Sequence, residues 1–229
     1  MDNKRLWARD VASLSLLLML LLSTAIAGDV QETYTVGLPD LRDELVVRAA
    51  NDQAARKAAI GWAAEHGING IVDENSLTDE EKAAHAYLQA EIARIDADNT
   101  AWLKKIVDER GWLKYSDVGP DGADAAWLIV QHAIADSLFQ RQCLDLMTAV
   151  SKDEISQQNL AGLTDRVLLA EGKNQIYGTQ FGVREGEWVP LRLEDEKNVD
   201  ARRAEAGLLP MDEYKAVLEA IMRGELEIE

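Results

Sequence analysis

The chain is short of the residues that several common chemistries need. It has one cysteine, Cys143, and three histidines, His66, His85 and His132. A single thiol excludes an intramolecular disulfide, and none of the histidines stands in HExxH or paired-histidine spacing, so no metal site is expected. There is no Gly-x-Ser-x-Gly elbow for a serine hydrolase and no glycine-rich phosphate loop. No cofactor is expected either. Positive charge is scarce as well: 24 Lys and Arg face 41 Asp and Glu, for a net charge of −17. That balance repels phosphate backbones and anionic lipid, which argues against a nucleic-acid partner.

Long apolar runs are limited to one near the start. Lys4, Arg5 and Arg9 precede an apolar stretch over residues 11–22, and Ala25-Ile26-Ala27 offers a small-x-small cleavage site before Gly28. This reads as an export signal over residues 1–27. About a dozen apolar residues fall short of the roughly 20 that span a bilayer, so no stable membrane span is expected after cleavage. The alternative is an uncleaved anchor. Cys143 is far from this segment, so no lipobox thiol is present. The expected location is periplasmic or secreted.

The rest, residues 28–229, is large enough for one domain with its own core and no disulfides. Its patterning is mainly helical. Pro39 opens a helix that Gly67 can close, with Leu41, Leu45, Val46 and Ala49 as its apolar face. Thr78 and Glu81 form a capping box for a second helix that runs to Gly111, and residues 96–100 leave open whether it is one helix or two. Residues 112–122 carry loop chemistry, with Gly119, Pro120 and Gly122. Helix resumes near Ala123 and is apolar on most sides from Trp127 to Ile134, so it is expected to be central. Further helices follow over residues 138–150 and 153–169, the latter ended by Gly172.

The period then changes, and residues 175–189 read as a short β-hairpin turning at Arg184-Glu185-Gly186. Such a ribbon is marginal alone and must pack on the helices. A last helix starts near Met211. The expected fold class is therefore mainly α: a compact multi-helix domain with one small β-hairpin.

Polar groups recur inside these burial-ready segments, and an unpaired buried charge or amide costs several kcal/mol. They therefore specify either a satisfied network or a site. His132 and Asp136 are four apart, which on one helix brings an orienting carboxylate to an imidazole that can act as a general base. A structural histidine, hydrogen-bonded in the core, is the alternative. Asp165 and Arg166 point about 100° apart on a helix, so one faces inward. Arg166 can clamp an anion through its planar fork, and Asp165 can pair with Arg56, Arg202 or Arg203. A buried structural ion pair is the alternative there. In the ribbon, Gln175, Tyr177 and Thr179 alternate with Ile176, Gly178 and Gln180, which suits recognition of a polar ligand or attachment of the ribbon to the helices.

Together the strings Trp127-Leu128, Gln131-His132-Ala133 with Asp136, Leu163-Thr164-Asp165-Arg166, Gln175-x-Tyr177-Gly178-Thr179-Gln180, Asp200 with Arg202-Arg203, and Gly207-Leu208 before Tyr214 resemble an uncharacterised bacterial domain-of-unknown-function family. Asp52-Gln53 with Arg56 and Gly111-Trp112 belong to the same resemblance. It implies recurring polar positions and no nameable reaction.

The expected site gathers His132, Asp136, Asp165 and Arg166 as the reactive set, with Gln131, Gln175, Tyr177, Gln180 and Arg203 around a polar or anionic small molecule. The second hypothesis is a metal-independent hydrolase or cyclase with His132 as base, Asp136 orienting it, and Arg166 or Arg203 stabilising negative charge. Both require that these residues, distant along the chain, converge. Neither identifies a substrate or an oligomeric state.

Overall fold

Helix α1 starts where Pro39 fixes the first turn and runs over Pro39–Glu65; α2 covers Asp79–Arg110 and α3 Tyr115–His132. They belong to one compact unit, Tyr34–Phe139, of a computed structural model that describes residues 36–68, 74–184 and 187–222. The second unit is Gln140–Glu229, and the division falls in the first turn of α4, Ser137–Thr148. It continues with α5 (Gln157–Ala170), β1 (Phe181–Arg184), β2 (Glu187–Pro190), α6 (Val199–Glu205) and α7 (Met211–Met222). The export signal and the turn at Glu185-Gly186 lie outside the described residues.

Within the first unit, α1 and α2 form an antiparallel pair. Arg48 of α1 bonds Asp98 and Asn99, whereas Trp62, further along α1, stacks on His85, further back along α2. α3 runs parallel to α1, since Gly37 bonds Ser116, Arg42 bonds Asp121 and Asp52 meets His132. The expected ends of α1 and α2 hold. Gly67, at φ 67°, lets the Gly67 and Ile68 N–H groups return to Ala64 and Ala63, and Thr78 with Glu81 forms the reciprocal capping box. α2 is one helix without a break at residues 96–100.

Two sequence expectations need correction here. Val46 is exposed rather than part of the inner face, because it lies about 100° round the helix from the fully buried Leu45. Residues 112–122 are not a loop throughout. Helix begins at Tyr115, with Asp117 bonding back to the Lys114 N–H, and is broken only at Gly119, whose φ 72° and ψ 167° admit no side chain comfortably. Pro120 follows, and from Ala125 to His132 every residue is buried, the central helix that its composition called for.

In the second unit, Ser156 caps α5 by accepting from the Asn159 N–H, and α5 begins at Gln157, four residues later than expected. The hairpin pairs Phe181 with Pro190 and Val183 with Trp188. Its Phe181 and Trp188 are buried against Tyr214 and Leu218 of α7, which meets the requirement that a two-stranded ribbon borrow a helical face. The hairpin is, however, shorter than expected: residues 175–180 are not strand but a loop, with Gln175 making one isolated bridge to Leu193.

Gly119 and Gly61 make opposite predictions. A Cβ at Gly119 would meet Asp121 Oδ1 at 3.1 Å on a backbone that side chains avoid, so Gly119→Ala should cost about 1–3 kcal/mol in urea denaturation. Gly61 sits inside α1 with nothing within 4 Å of a built Cβ, so Gly61→Ala should stabilise by about 0.5–1 kcal/mol.

Candidate functional site

The polar residues gather into one cluster in each unit. In Tyr34–Phe139, the buried face of α1 is Leu45, Asp52 and Arg56, a spacing of seven and then four that keeps all three on one stripe. The facing stripe of α2 carries Asn99, Leu103 and Val107 buried, with Asp96 one turn before Asn99. Each helix thus turns an apolar end and a polar end inward. The two polar ends meet at the last residue of α3, His132.

Here His132 Nδ1 lies 2.8 Å from Asp52 Oδ2. The same carboxylate accepts from Arg56 Nη2 at 3.2 Å, Arg56 Nε at 3.3 Å and Gln53 Nε2 at 2.8 Å. Arg56 Nη2 also donates to Asp96 Oδ1 in a short contact. Arg56 Nε is 3.2 Å from His132 Nδ1, but that nitrogen cannot donate to Asp52 and accept from Arg56 at once. The shorter contact to a full negative charge decides it, so the proton is on Nδ1 and Arg56 Nε serves Asp52.

The two carboxyls are driven apart. Burial raises Asp52, but the His132 hydrogen bond and charge, followed by Arg56, outweigh it and hold the group at about 2. Burial pushes Asp96 up to about 6; Arg56 opposes the rise, and the charge and hydrogen bonding of Asp52 add to it. Asp52 and His132 are almost sealed, whereas the Asp96 side chain keeps 17 % of its surface open, so the cluster meets water at Asp96. Asp52, Asp96 and His132 bring three donor atoms within 4.8 Å of one another. The positive charge bonded to both carboxylates is the Arg56 guanidinium, which makes this an ion-pair cluster rather than a cation cavity.

The expected pairing of His132 with Asp136 is corrected. α3 ends at His132, Ala133 turns out of the helix at ψ 43°, and the four-residue spacing no longer implies a shared face. Asp136 instead caps α4 through the Phe139 N–H at 2.9 Å and accepts from Lys104 Nζ at 2.6 Å, whose hydrogen bond lowers its pKa. Gln131 is fully buried in the same unit. The orienting carboxylate is Asp52. Its signal was present in the sequence: Asp52 and Arg56 continue the Leu45 stripe, where a solvated pair would not be placed.

The remaining candidates lie in Gln140–Glu229, around the 175–180 loop. Asp165 Oδ1 accepts from the Ile176 and Tyr177 N–H groups at 2.7 and 3.0 Å, and Oδ2 from the Thr179 N–H and hydroxyl at 2.9 and 2.8 Å. Burial pushes this carboxyl above its ordinary value while those four donors pull against it. The carbonyls of the same loop face cations. Arg202 Nε donates to Ile176, and Arg203 Nη1 to Tyr177 and Gly178, while Arg203 Nε donates to Leu209 in a 2.5 Å contact. Gln175 closes the loop by donating to the Gln180 and Leu191 carbonyls and accepting from the Gln180 N–H.

Several expectations change with this geometry. Asp165 binds backbone donors and Thr179 rather than Arg56, Arg202 or Arg203. The alternation of Gln175, Tyr177 and Thr179 along a strand face does not occur, because the segment wraps round a carboxylate. Gly178, at φ 66°, is approached by Met211, whose Cε a built Cβ would strike, so the close neighbour is an internal side chain. Arg203 is fully buried, lies 4.8 Å over the Tyr214 ring and has its pKa lowered by burial. Arg166 is buried beside Asp165 in sequence, and Gln180 is likewise buried; Tyr177 is half-buried, and burial raises its phenol. The loop attachments are those of the alternative in which the segment is tied down by hydrogen bonds.

Residues 39–224 match the family described as "Family of unknown function (DUF6624)", so the chain belongs to that family. The match runs from the start of α1 to just beyond α7 and bears out the resemblance to a family without a known activity. No curated protein and no solved structure matches the chain.

Two substitutions separate the roles of the acids. Asp52→Ala strips its partner from a buried guanidinium and imidazole and should cost about 3–5 kcal/mol, whereas Asp136→Asn keeps a cap and loses only a half-exposed ion pair, about 1 kcal/mol or less by chemical denaturation. Asp165→Asn turns an NH2 toward donor groups and should cost about 3 kcal/mol. Hydrogen exchange should quicken at the Thr179 amide or at the Ile176 and Tyr177 amides in that variant, on whichever side the NH2 replaces an acceptor oxygen.

Proposed function

We propose that this family member is an exported protein, periplasmic or secreted, that binds a polar small molecule at the Asp52–Arg56–Asp96–His132 cluster. The observation that carries the reading is a set of four ionisable side chains drawn from three helices into one largely buried place, whose most open edge among the described residues is Asp96. Buried charge is costly, and such clusters with divergent carboxyl pKa values concentrate at functional sites.

Charge balance selects the ligand. With His132 neutral, two carboxylates outnumber the one guanidinium, so a neutral or basic molecule rich in hydrogen-bond donors suits the open edge better than an anion. The anionic alternative drew on Arg166 and Arg203, which belong to the other unit, and Arg203 Nε and Nη1 serve the carbonyls of Leu209, Tyr177 and Gly178.

A metal-independent hydrolase or cyclase is the second reading, and one observation favours it: an ionised carboxylate orients the imidazole while a neighbouring carboxyl is raised toward neutrality. Two acids pushed in opposite directions are how a site divides acid from base. His132 would be the base, Asp52 its orienting partner in place of Asp136, and Asp96 the acid.

A thermal-shift panel of neutral, basic and anionic solutes on the mature protein tests binding. A neutral or basic ligand at a hundred times its Kd should stabilise by about 2.7 kcal/mol. The shift should vanish in a folded Asp96→Ala variant. Responses confined to anions, or unchanged by that substitution, overturn the reading. Turnover of a hit that is lost in His132→Gln, with its binding kept, would select the enzyme.

A further inference from the structure

The same cluster has a charge imbalance that goes beyond ligand binding and does not depend on it. Among the described residues, the ion pairs of Asp52 are with Arg56 and His132, and that of Asp96 is with Arg56. The neighbouring Arg48 of α1 is directed to Glu44, Asp98 and Asn99. The buried Asp52 and the partly buried Asp96 therefore share one permanent cation. His132 balances the second carboxylate only while it is protonated; once the imidazole is neutral, full ionisation leaves one uncompensated negative charge at a largely buried junction, and a proton on the carboxyl pair cancels it.

We propose that the Asp52–Asp96 pair is a proton-binding site: one proton, held by Asp96 and donated to Asp52, closes the junction of α1, α2 and α3 and is released as the surroundings become neutral to alkaline.

The hydrogen bonds choose which carboxyl takes it. Asp52 accepts from His132 Nδ1, from Arg56 Nε and Nη2 and from Gln53, all of which bond best to an ionised acceptor. Protonating Asp52 would weaken all four contacts. Asp96 takes Arg56 Nη2 on Oδ1, so a proton on its other oxygen leaves that contact intact and provides an O–H for Asp52. Acid and carboxylate then share a proton, as paired carboxyls do when both cannot ionise together. The groups facing Asp96 from the packed helices are Asp52 and Arg56 of α1 and His132 of α3, while Asp98 on its own helix is held by Arg48. The solvent-reachable edge at Asp96 supplies the route for the proton.

The sign follows from the raised carboxyl. The folded protein keeps a proton on Asp96 up to about pH 6, and the unfolded chain releases it near the ordinary 3.8. The associated stability is complete below that lower value and is lost as pH rises through about 6. Asp52 acts oppositely, contributing above 3.8 and failing as pH falls through about 2.

The test is urea denaturation of the ligand-free protein from about pH 4.5 to about pH 7.5, wild type against Asp96→Asn, whose amide is neutral at every pH and still donates to Asp52. The wild type should lose stability across the interval relative to Asp96→Asn, the difference amounting to one proton released, and the variant should be at least as stable at the alkaline end. Parallel curves overturn the proposal. Infrared difference spectra give a second reading: one protonated carboxyl band of the wild type should disappear near pH 6 and be missing from Asp96→Asn, whereas Asp165, also raised, contributes alike to both; a wild type without such a band equally overturns the proposal.

Discussion

An ionised carboxylate removed from water must collect donors to replace its hydration, and both units of this chain are arranged round that requirement. Asp52 collects an imidazole, a guanidinium and an amide from side chains. Asp165 collects three backbone N–H groups and a hydroxyl from a loop. The first set joins α1 to α3 and the second joins the loop to α5, so satisfying each charge fixes the mutual position of two elements.

The two solutions have different consequences. Around Asp165 the demand is met by the local loop, through three backbone N–H groups and the Thr179 hydroxyl, and the carbonyls of Ile176, Tyr177 and Gly178 are met by Arg202 and Arg203. That arrangement is rigid and inward-looking. Around Asp52 the demand is met by side chains that carry charges of their own, and the sum does not balance. A second carboxyl, Asp96, stands at the edge with a shared guanidinium and contact with water. Structural networks minimise such imbalance because it costs stability, and a cluster that keeps it retains a capacity to take up a proton or a polar ligand. This is why the functional reading centres on the first unit although more of the conspicuous polar residues lie in the second.

Much of the fold was legible along the chain because its signals are local. Pro39, the Thr78–Glu81 box, Gly67, Gly111 and Gly172 act within a turn or two of themselves, and they mark helix ends within two residues of where they occur. The site was legible in composition and misread in geometry. The spacing of His132 and Asp136 carries meaning only while the helix continues, and it stops at His132. Alternation over residues 175–180 looks like strand, yet the nearby carboxylate of Asp165 competes for the N–H groups that a ladder would use, and the carboxylate prevails because charge-assisted hydrogen bonds are stronger. Asp52 and Arg56 could have been found from their place on the Leu45 stripe; Asp96 was weaker, since neighbouring Asp98 has the same composition and faces outward.

By itself, the sequence determined the helical class, most of the helix ends, the need for a ribbon to lean on a helix, and the presence of more polar groups in core-like positions than ordinary packing uses, because all of these follow from periodicity and short-range sterics. Only the tertiary structure decided which acid meets which base. Partners for a buried charge are chosen by proximity after folding, and residues 80 apart in the chain, such as Asp52 and His132, become neighbours through packing that no local pattern encodes.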